Sequence, residues 1–105
     1  MNKNYLKILY NKLEKKINEN SNSSYTKYLI ENPNILRKKI NEESFEVIEE
    51  IFKEDKKKVI TESADLLYHL LVAWIYLKIK PQDVFKELES RESISGFEEK
   101  KRRKK

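Results

Sequence analysis

Two pairs of acidic residues have the spacing and the surroundings of a site that could do chemistry. Glu43 and Glu46 are three residues apart in a glutamate-rich stretch, and Glu62 and Asp65 repeat that spacing further along the chain. Residues three apart are neighbours on one side of an α-helix. The second pair borders a strongly apolar run, Leu66–Leu77, where an unpaired charge is costly to bury. Four carboxylates that meet across two packed helices repel one another unless a cation neutralises them.

The types of these residues favour magnesium as that cation. Carboxylate-rich, all-oxygen sites suit hard cations, and Mg²⁺ commonly combines a few carboxylates with waters and substrate phosphates. The chain has no cysteine and a single histidine, His69, which does not make a zinc site. A Mg²⁺ site with open positions can bind a polyphosphate and activate water for attack on it.

The same acidic residues could instead form an ordinary solvent-exposed helix surface without a metal. A glutamate-rich helix is more often a solvated face, and the Glu43–Glu46 pair alone carries little weight in a chain with so many charges. The second acidic pair, next to an apolar run, is what favours a site. His69 follows Asp65 by one helical turn; a lone histidine is more often a packed polar residue, but this place makes it a candidate for contacting substrate or for supporting the acids.

Helices are the elements that must position these residues. The 3.6-residue periodicity and the turn-forming residues between segments predict an all-α bundle of about five helices. Residues 1–97 are predicted to form the domain, and residues 98–105 a charged, disordered tail. The predicted helices are Tyr5–Ile17, Tyr25–Ile30 with Ser24 as N-cap, Ile35–Lys53 with Asn34 as N-cap, Lys58–Ile79, and Gln82–Glu92 with Pro81 in its first turn.

The composition of the chain also limits its cellular location and the partners that it can be expected to bind. The absence of cysteine excludes disulfides and fits a cytoplasmic protein. The lysine-rich N-terminus has no apolar block of a secretory signal, and the longest apolar run, at 12 residues, is too short to span a bilayer. The net charge of +5 resides in Arg91 and the basic residues of 100–105, so we expect a solvated tail rather than a nucleic-acid partner.

Several segments match the pattern of a known group of enzymes. They include SYTKYL at 24–29, KKINEESFE at 38–46, ESADLLYHLLV at 62–72, PQDV at 81–84, ELESR at 87–91 and SGFEEK at 95–100. The chain resembles the all-α nucleoside triphosphate pyrophosphohydrolases, which include MazG-like enzymes and dimeric dUTPases. Within that group it resembles the phosphoribosyl-ATP pyrophosphatase family over about residues 23–100. Asn41 stands where the family usually has Gly, and Ser44 where Ala is usual.

The resemblance implies a fold, a reaction and a set of site residues. It implies a MazG-like bundle completed by homodimerisation, and Mg²⁺-dependent hydrolysis of phosphoribosyl-ATP to phosphoribosyl-AMP and pyrophosphate, the second step of histidine biosynthesis. The implied metal ligands are Glu43, Glu46, Glu62 and Asp65. The implied catalytic residues are Glu42, Glu43 and Glu46, with Glu42 a further ligand or the water-activating base. The implied substrate contacts are Ser24, Tyr25, Thr26, Lys39 and His69.

Three other functions remain open at this point. A house-cleaning pyrophosphatase acting on ordinary (d)NTPs would use the same metal site, since that site contacts only the phosphates. A basic helical module that binds nucleic acid would depend on the tail, and deletion of residues 102–105 would abolish its binding. A catalytically silent interaction bundle would have little reason to keep acids at all four positions.

Overall fold

The computed structural model describes residues 4–19 and 24–92, together with Phe97, Lys100 and Lys101. These residues form five α-helices and no strand, as the periodicity predicts. The helices are α1 (Tyr5–Asn18), α2 (Tyr25–Glu31), α3 (Pro33–Lys53), α4 (Lys56–Leu77) and α5 (Pro81–Ser90). The all-α fold class is therefore confirmed.

Side-chain caps fix where α2 and α4 begin. The Ser24 hydroxyl accepts a hydrogen bond from the Lys27 N–H at 3.1 Å, which confirms Ser24 as the N-cap of α2. The Asp55 carboxylate accepts one from the Lys58 N–H at 3.1 Å in the same way. The second long helix consequently begins at Lys56, two residues before the predicted start.

The predicted start of α3 is wrong by two residues. The helix begins at Pro33, and its N-cap is Asn32 rather than Asn34. Proline fits the first helical position because its fixed φ suits the helix and its missing N–H is not needed there. The Asn32 side chain makes no hydrogen bond that caps α3; its amide donates to the Tyr28 carbonyl at 2.8 Å, at the end of α2.

A two-residue link, Glu54 and Asp55, joins α3 to α4. Glu54 adopts the left-handed conformation, with φ 57°, and the Asp55 N–H returns to the Glu50 carbonyl at 3.1 Å. Lys78 ends α4 in the same conformation, with φ 61°. Because the link is so short, α3 and α4 run antiparallel, and they form the most extensive helix contact among the described elements.

The core surrounds the C-terminal half of α4. Its buried members come from four helices, and Leu29, Leu71 and Val72 have no measurable exposure. α1, α2 and α3 all pack on α4, whereas α5 packs mainly on α1. The buried apolar set is Tyr10, Leu13, Leu29, Leu36, Leu71, Val72 and Ile75.

The end of the α3–α4 pair that lies near the link has an apolar surface that is left exposed. The side of α3 opposite the acids leaves Ile48 63% exposed and Phe52 89% exposed. Ile60 on α4 is 70% exposed. Within the described ranges, no helix has both the length and the apolar character needed to cross a membrane.

The predicted boundary at residue 97 stays a prediction. Of the segment 98–105, only Lys100 and Lys101 belong to the described residues, and both are exposed. The predicted disordered tail otherwise lies outside the described part of the chain.

Candidate active site

Four acidic side chains from the two longest helices converge on one region. The antiparallel pairing places the middle of α3 beside the first half of α4. Partial desolvation, followed by the nearby charges of Glu46 and Asp65, raises the pKa of the Glu62 carboxyl above its usual 4.5, and Glu43 adds to the effect. The four acids therefore lie close enough to influence one another's charge, and their role as metal ligands stays a prediction.

Glu43 and His69 form the closest polar contact in this region. Glu43 Oε1 lies 2.6 Å from His69 Nδ1, and their side chains are only 14% and 7% exposed. Burial raises the pKa of the Glu43 carboxyl, His69 acts to lower it, and the neighbouring carboxylates of Asp65 and Glu46 raise it further. Burial and like charge together outweigh the contact with histidine.

Both ring nitrogens of His69 are occupied by protein groups. Nδ1 also lies 2.9 Å from the Asp65 carbonyl oxygen, and Nε2 lies 3.3 Å from the Tyr25 hydroxyl. A single hydrogen on Nδ1 can point at only one acceptor, and Glu43 Oε1 has no aligned donor. The Glu43 carboxylate and the Asp65 carbonyl therefore compete for the one hydrogen that Nδ1 can carry. With His69 itself 5% exposed, its predicted contact with substrate stays a prediction.

The three hydroxyls at the start of α2 are all engaged within the protein. Ser24 caps α2, and Tyr25 meets His69. The Thr26 hydroxyl pairs with the Tyr68 hydroxyl at 2.7 Å, and Thr26 is 4% exposed. The two contacts to α4 fix α2 beside the acids. The predicted roles of these residues in binding phosphate are not tested by this arrangement.

Lys39 and Glu42 lie together on the open side of α3. The Lys39 ammonium is 3.8 Å from the Glu42 carboxylate, and the two side chains are 44% and 45% exposed. An exposed pair of this kind contributes little to stability, so both groups can rearrange at low cost. Their predicted roles, phosphate contact for Lys39 and base or ligand for Glu42, stay predictions.

Two residues outside the predicted set belong to this region. Tyr68 bonds Thr26, and its ring lies edge-on to His69 with the centroids 4.9 Å apart. Its position three residues after Asp65, on the same side of α4, is the sequence signal that could have included it. Glu50 continues the acidic side of α3; its side chain is 14% exposed, and Oε1 is buried without a hydrogen-bond partner.

The donor set suits a hard cation, although the oxygens are not gathered into a finished cage. Within residues 4–19 and 24–92, no group of three or more His, Asp or Glu side chains lies close enough together to hold a metal ion as it stands. Like-charged carboxylates spread apart, and the raised pKa values of Glu43 and Glu62 mark a region short of positive charge. Carboxylate oxygens are the ligands that Mg²⁺ prefers.

The fold and the site together define the class of protein. It is an all-α bundle with an acidic site of four carboxylates between its two longest helices, which run antiparallel. The family model described as phosphoribosyl-ATP pyrophosphohydrolase matches residues 6–92. The chain belongs to that family.

Relatives with curated names agree with this assignment. The protein named phosphoribosyl-ATP pyrophosphatase from Sulfurisphaera tokodaii is 40% identical over 93 residues, which cover 87% of this chain and 98% of that protein. The protein of the same name from Bordetella parapertussis is 43% identical over 82 residues, covering 77% and 71%. The one from Granulibacter bethesdensis is 48% identical over 62 residues, covering 59% of this chain but only 39% of that relative, and the Gluconobacter oxydans match spans half of its relative.

Proposed function

We propose that this protein hydrolyses phosphoribosyl-ATP to phosphoribosyl-AMP and pyrophosphate. The observation that carries the proposal is the convergence of Glu43, Glu46, Glu62 and Asp65 across α3 and α4. The substrate is indicated by family membership over residues 6–92 and by the name of two relatives, of which the chain covers 71% and 98%. This reaction is the second step of histidine biosynthesis.

Each residue group has a defined task in this reaction. Glu43, Glu46, Glu62 and Asp65 would hold Mg²⁺, which when bound neutralises phosphate charge and lowers the pKa of a bound water. The water oxygen forms a bond to phosphorus, the anhydride bond between the α- and β-phosphoryl groups breaks, and pyrophosphate leaves. Glu42 accepts the water proton, and the neighbouring Lys39 contacts a phosphate; the exposure of both leaves them free to do so.

In this proposal His69 orients the acidic side chains and does not itself contact the substrate. Its buried ring fixes one oxygen of Glu43 at 2.6 Å, while Tyr25 fixes the ring from the other side. Groups that orient metal-binding carboxylates in this way commonly affect metal affinity by tenfold or more. We therefore assign His69 a positioning role and leave the open side of the site to Glu42 and Lys39.

The test is pyrophosphate release from phosphoribosyl-ATP with and without Mg²⁺, for the wild type and Glu46→Gln. Glu46→Gln keeps the size of the side chain and removes its charge, so the fold should be retained while Mg²⁺-dependent release is lost. Glu89→Gln, an exposed acid on α5, is the matched control and should behave as the wild type. Release that persists in Glu46→Gln, or that needs no divalent cation, would contradict the proposed site.

Parallel assays with ordinary dNTPs distinguish hydrolysis of phosphoribosyl-ATP from the activity of a house-cleaning pyrophosphatase. Release from dNTPs at equal or greater rates would keep the acidic site but assign the protein to house-cleaning pyrophosphatases. We expect far slower turnover of dNTPs, because they lack the phosphoribosyl group and the binding energy that it supplies.

We also propose that two copies pair through the uncovered apolar side of the α3–α4 helices. Several large apolar side chains are left exposed there, and a concentration of exposed apolar surface on a small domain commonly marks an interface. These side chains are Phe45, Ile48, Ile51, Phe52 and Ile60, each at least 57% exposed. A cytoplasmic location stays a prediction from the sequence.

A further inference from the structure

Three tyrosine rings lie in a row beside the acidic site. Tyr25 is in the middle; its ring centroid is 6.3 Å from that of Tyr28 and 6.2 Å from that of Tyr68. The ring planes differ by only 23° and 12°, so the three faces are nearly parallel. Tyr25 and Tyr28 are 45% and 47% exposed. We call Tyr28, Tyr25 and Tyr68 the tyrosine row.

Two of the three hydroxyl groups of the row are bonded within the protein, while Tyr25 and Tyr28 keep nearly half of their surface exposed. The Tyr68 hydroxyl is bonded to Thr26 at 2.7 Å, and the Tyr25 hydroxyl meets His69 at 3.3 Å. These contacts fix two rings before any ligand arrives. Pre-positioned aromatic side chains lose little conformational entropy on binding, which makes them efficient contact surfaces.

The row begins one side chain away from the acids. The His69 ring lies edge-on to both Tyr25 and Tyr68, with centroids 6.0 and 4.9 Å away, and the same ring contacts Glu43 at 2.6 Å. A nucleotide has the same layout, since its phosphates and its flat base are separated by a sugar. A ligand whose phosphates reach the acids would therefore carry its base towards the row.

Of the three tyrosines, Tyr28 has the side chain that contributes least to holding the fold together. Its backbone carbonyl accepts from Asn32, and its N–H bonds to the Ser24 carbonyl, so the helix depends on its backbone rather than on its ring. The ring is nearly half exposed and faces the neighbouring Tyr25 ring. A large aromatic side chain kept in this position without a core role is suited to contacting a flat ligand.

We propose that the tyrosine row is the surface on which the purine ring of the substrate stacks, with Tyr28 as a residue that determines specificity for a base-bearing polyphosphate. This proposal deepens the proposed function, on which its choice of substrate rests. Stacking uses the ring face, so a phenylalanine at position 28 keeps the interaction and a leucine removes it.

The experiment compares Tyr28→Leu, Tyr28→Phe and Tyr5→Leu in steady-state hydrolysis of phosphoribosyl-ATP. Tyr5 has a similarly exposed ring (57%) but lies in the first turn of α1, so it controls for loss of an exposed tyrosine. Tyr28→Leu should raise KM about tenfold with kcat unchanged, because the ring contacts the base and not the reacting phosphorus. Tyr28→Phe and Tyr5→Leu should match the wild type.

Inhibition by Mg²⁺-tripolyphosphate, which has no base, provides the second readout. Its inhibition constant should be the same in the wild type and Tyr28→Leu. An equal loss of affinity for tripolyphosphate and for phosphoribosyl-ATP in Tyr28→Leu would overturn the proposal, because the tyrosine would then act on the whole site. An unchanged KM in Tyr28→Leu would overturn it as well.

Calorimetric binding of ATP and tripolyphosphate, both with Mg²⁺, separates failure of this proposal from failure of the proposed function. If the wild type does not hydrolyse phosphoribosyl-ATP, the proposed function fails, but the row is still tested. Weaker binding of ATP, with unchanged binding of tripolyphosphate, in Tyr28→Leu would support the row. Equal affinities of both proteins for ATP would overturn it.

Discussion

Replacing His69 with alanine tests whether this buried ring positions the acidic site. The substitution removes the group 2.6 Å from Glu43 and leaves the Tyr25 hydroxyl and the Asp65 carbonyl without their ring partner. It also removes an influence that lowers the pKa of the Glu43 carboxyl. Glu43 should therefore hold its proton more tightly, and a proton competes with a metal ion for the same oxygen.

The expected magnitudes follow from the burial of the His69 ring and from the polar groups that it meets. His69 is 5% exposed, so truncation leaves a small cavity and several polar groups without partners, each of which costs about 1–3 kcal/mol. We expect the free energy of unfolding to fall by about 2–4 kcal/mol in total. The Mg²⁺ concentration that gives half-maximal activity should rise about tenfold, as is typical when a group supporting a metal ligand is removed.

Leu71→Ala is the matched control, since Leu71 is fully buried on the same helix and contacts none of the acids through a polar group. Its truncation should destabilise the fold by about 2–5 kcal/mol and leave the Mg²⁺ requirement unchanged. His69→Asn, which can still place a donor near Glu43, should recover part of the Mg²⁺ affinity. Chemical denaturation gives the stabilities, and Mg²⁺ titrations of pyrophosphate release give the requirement. If His69→Ala and Leu71→Ala have the same Mg²⁺ requirement, the positioning role is refuted.

Three further predictions concern stability and assembly. Between the usual pKa of 4.5 and its raised pKa in the folded protein, Glu62 binds more protons in the folded state than in the unfolded chain, so metal-free stability falls as pH rises through that window. Glu62→Gln should therefore melt at a higher temperature than the wild type at pH 7 in EDTA, and the difference should vanish at about pH 3, which thermal melts across this range would check. Ser24→Ala should lower the free energy of unfolding by about 1 kcal/mol in urea melts, since it removes the cap of α2, whereas Ser63→Ala at an exposed site on α4 should not. Ile48→Glu combined with Phe52→Glu should shift the sedimentation equilibrium mass from two chains to one, and a mass already equal to one chain in the wild type would contradict pairing.

The sequence predicted the helices well and their first residues less well. Apolar spacing located all five, because one side of each must face the core. The start of α3 was misplaced because Asn34 and Asn32 are both acceptable caps by type; Pro33, which fits the first helical position, is the local signal that favours Asn32. The Asn32 side chain donates to the Tyr28 carbonyl four residues earlier, so it closes the end of α2 and makes no hydrogen bond that caps α3.

The acidic pairs were also predictable, because their spacing and the short link together determine which faces meet. The contacts of α2 with α4 that support these acids were not predictable from the sequence. That Tyr25 reaches His69, and Thr26 reaches Tyr68, depends on how α2 crosses α4, more than 40 residues later in the chain. Hydroxyl pairs across such separations follow from packing angles, which residue types alone do not encode. Glu50, whose side chain is 14% exposed with Oε1 buried, was missed for the same reason.

The short link between α3 and α4 also limits how this family can change its length. The residues between Glu46 and Glu62 comprise the last seven of α3, the two of the link and the first six of α4. One residue inserted in either helix would turn the acids of that helix by about 100° away from their partners. Insertions of whole turns in both helices would instead lengthen the distal end of the hairpin and leave the site in register. Natural variation in this spacing is therefore expected to come in paired steps of about seven residues, shared between the two helices, and single-residue changes should be confined to sequences that have lost the acids.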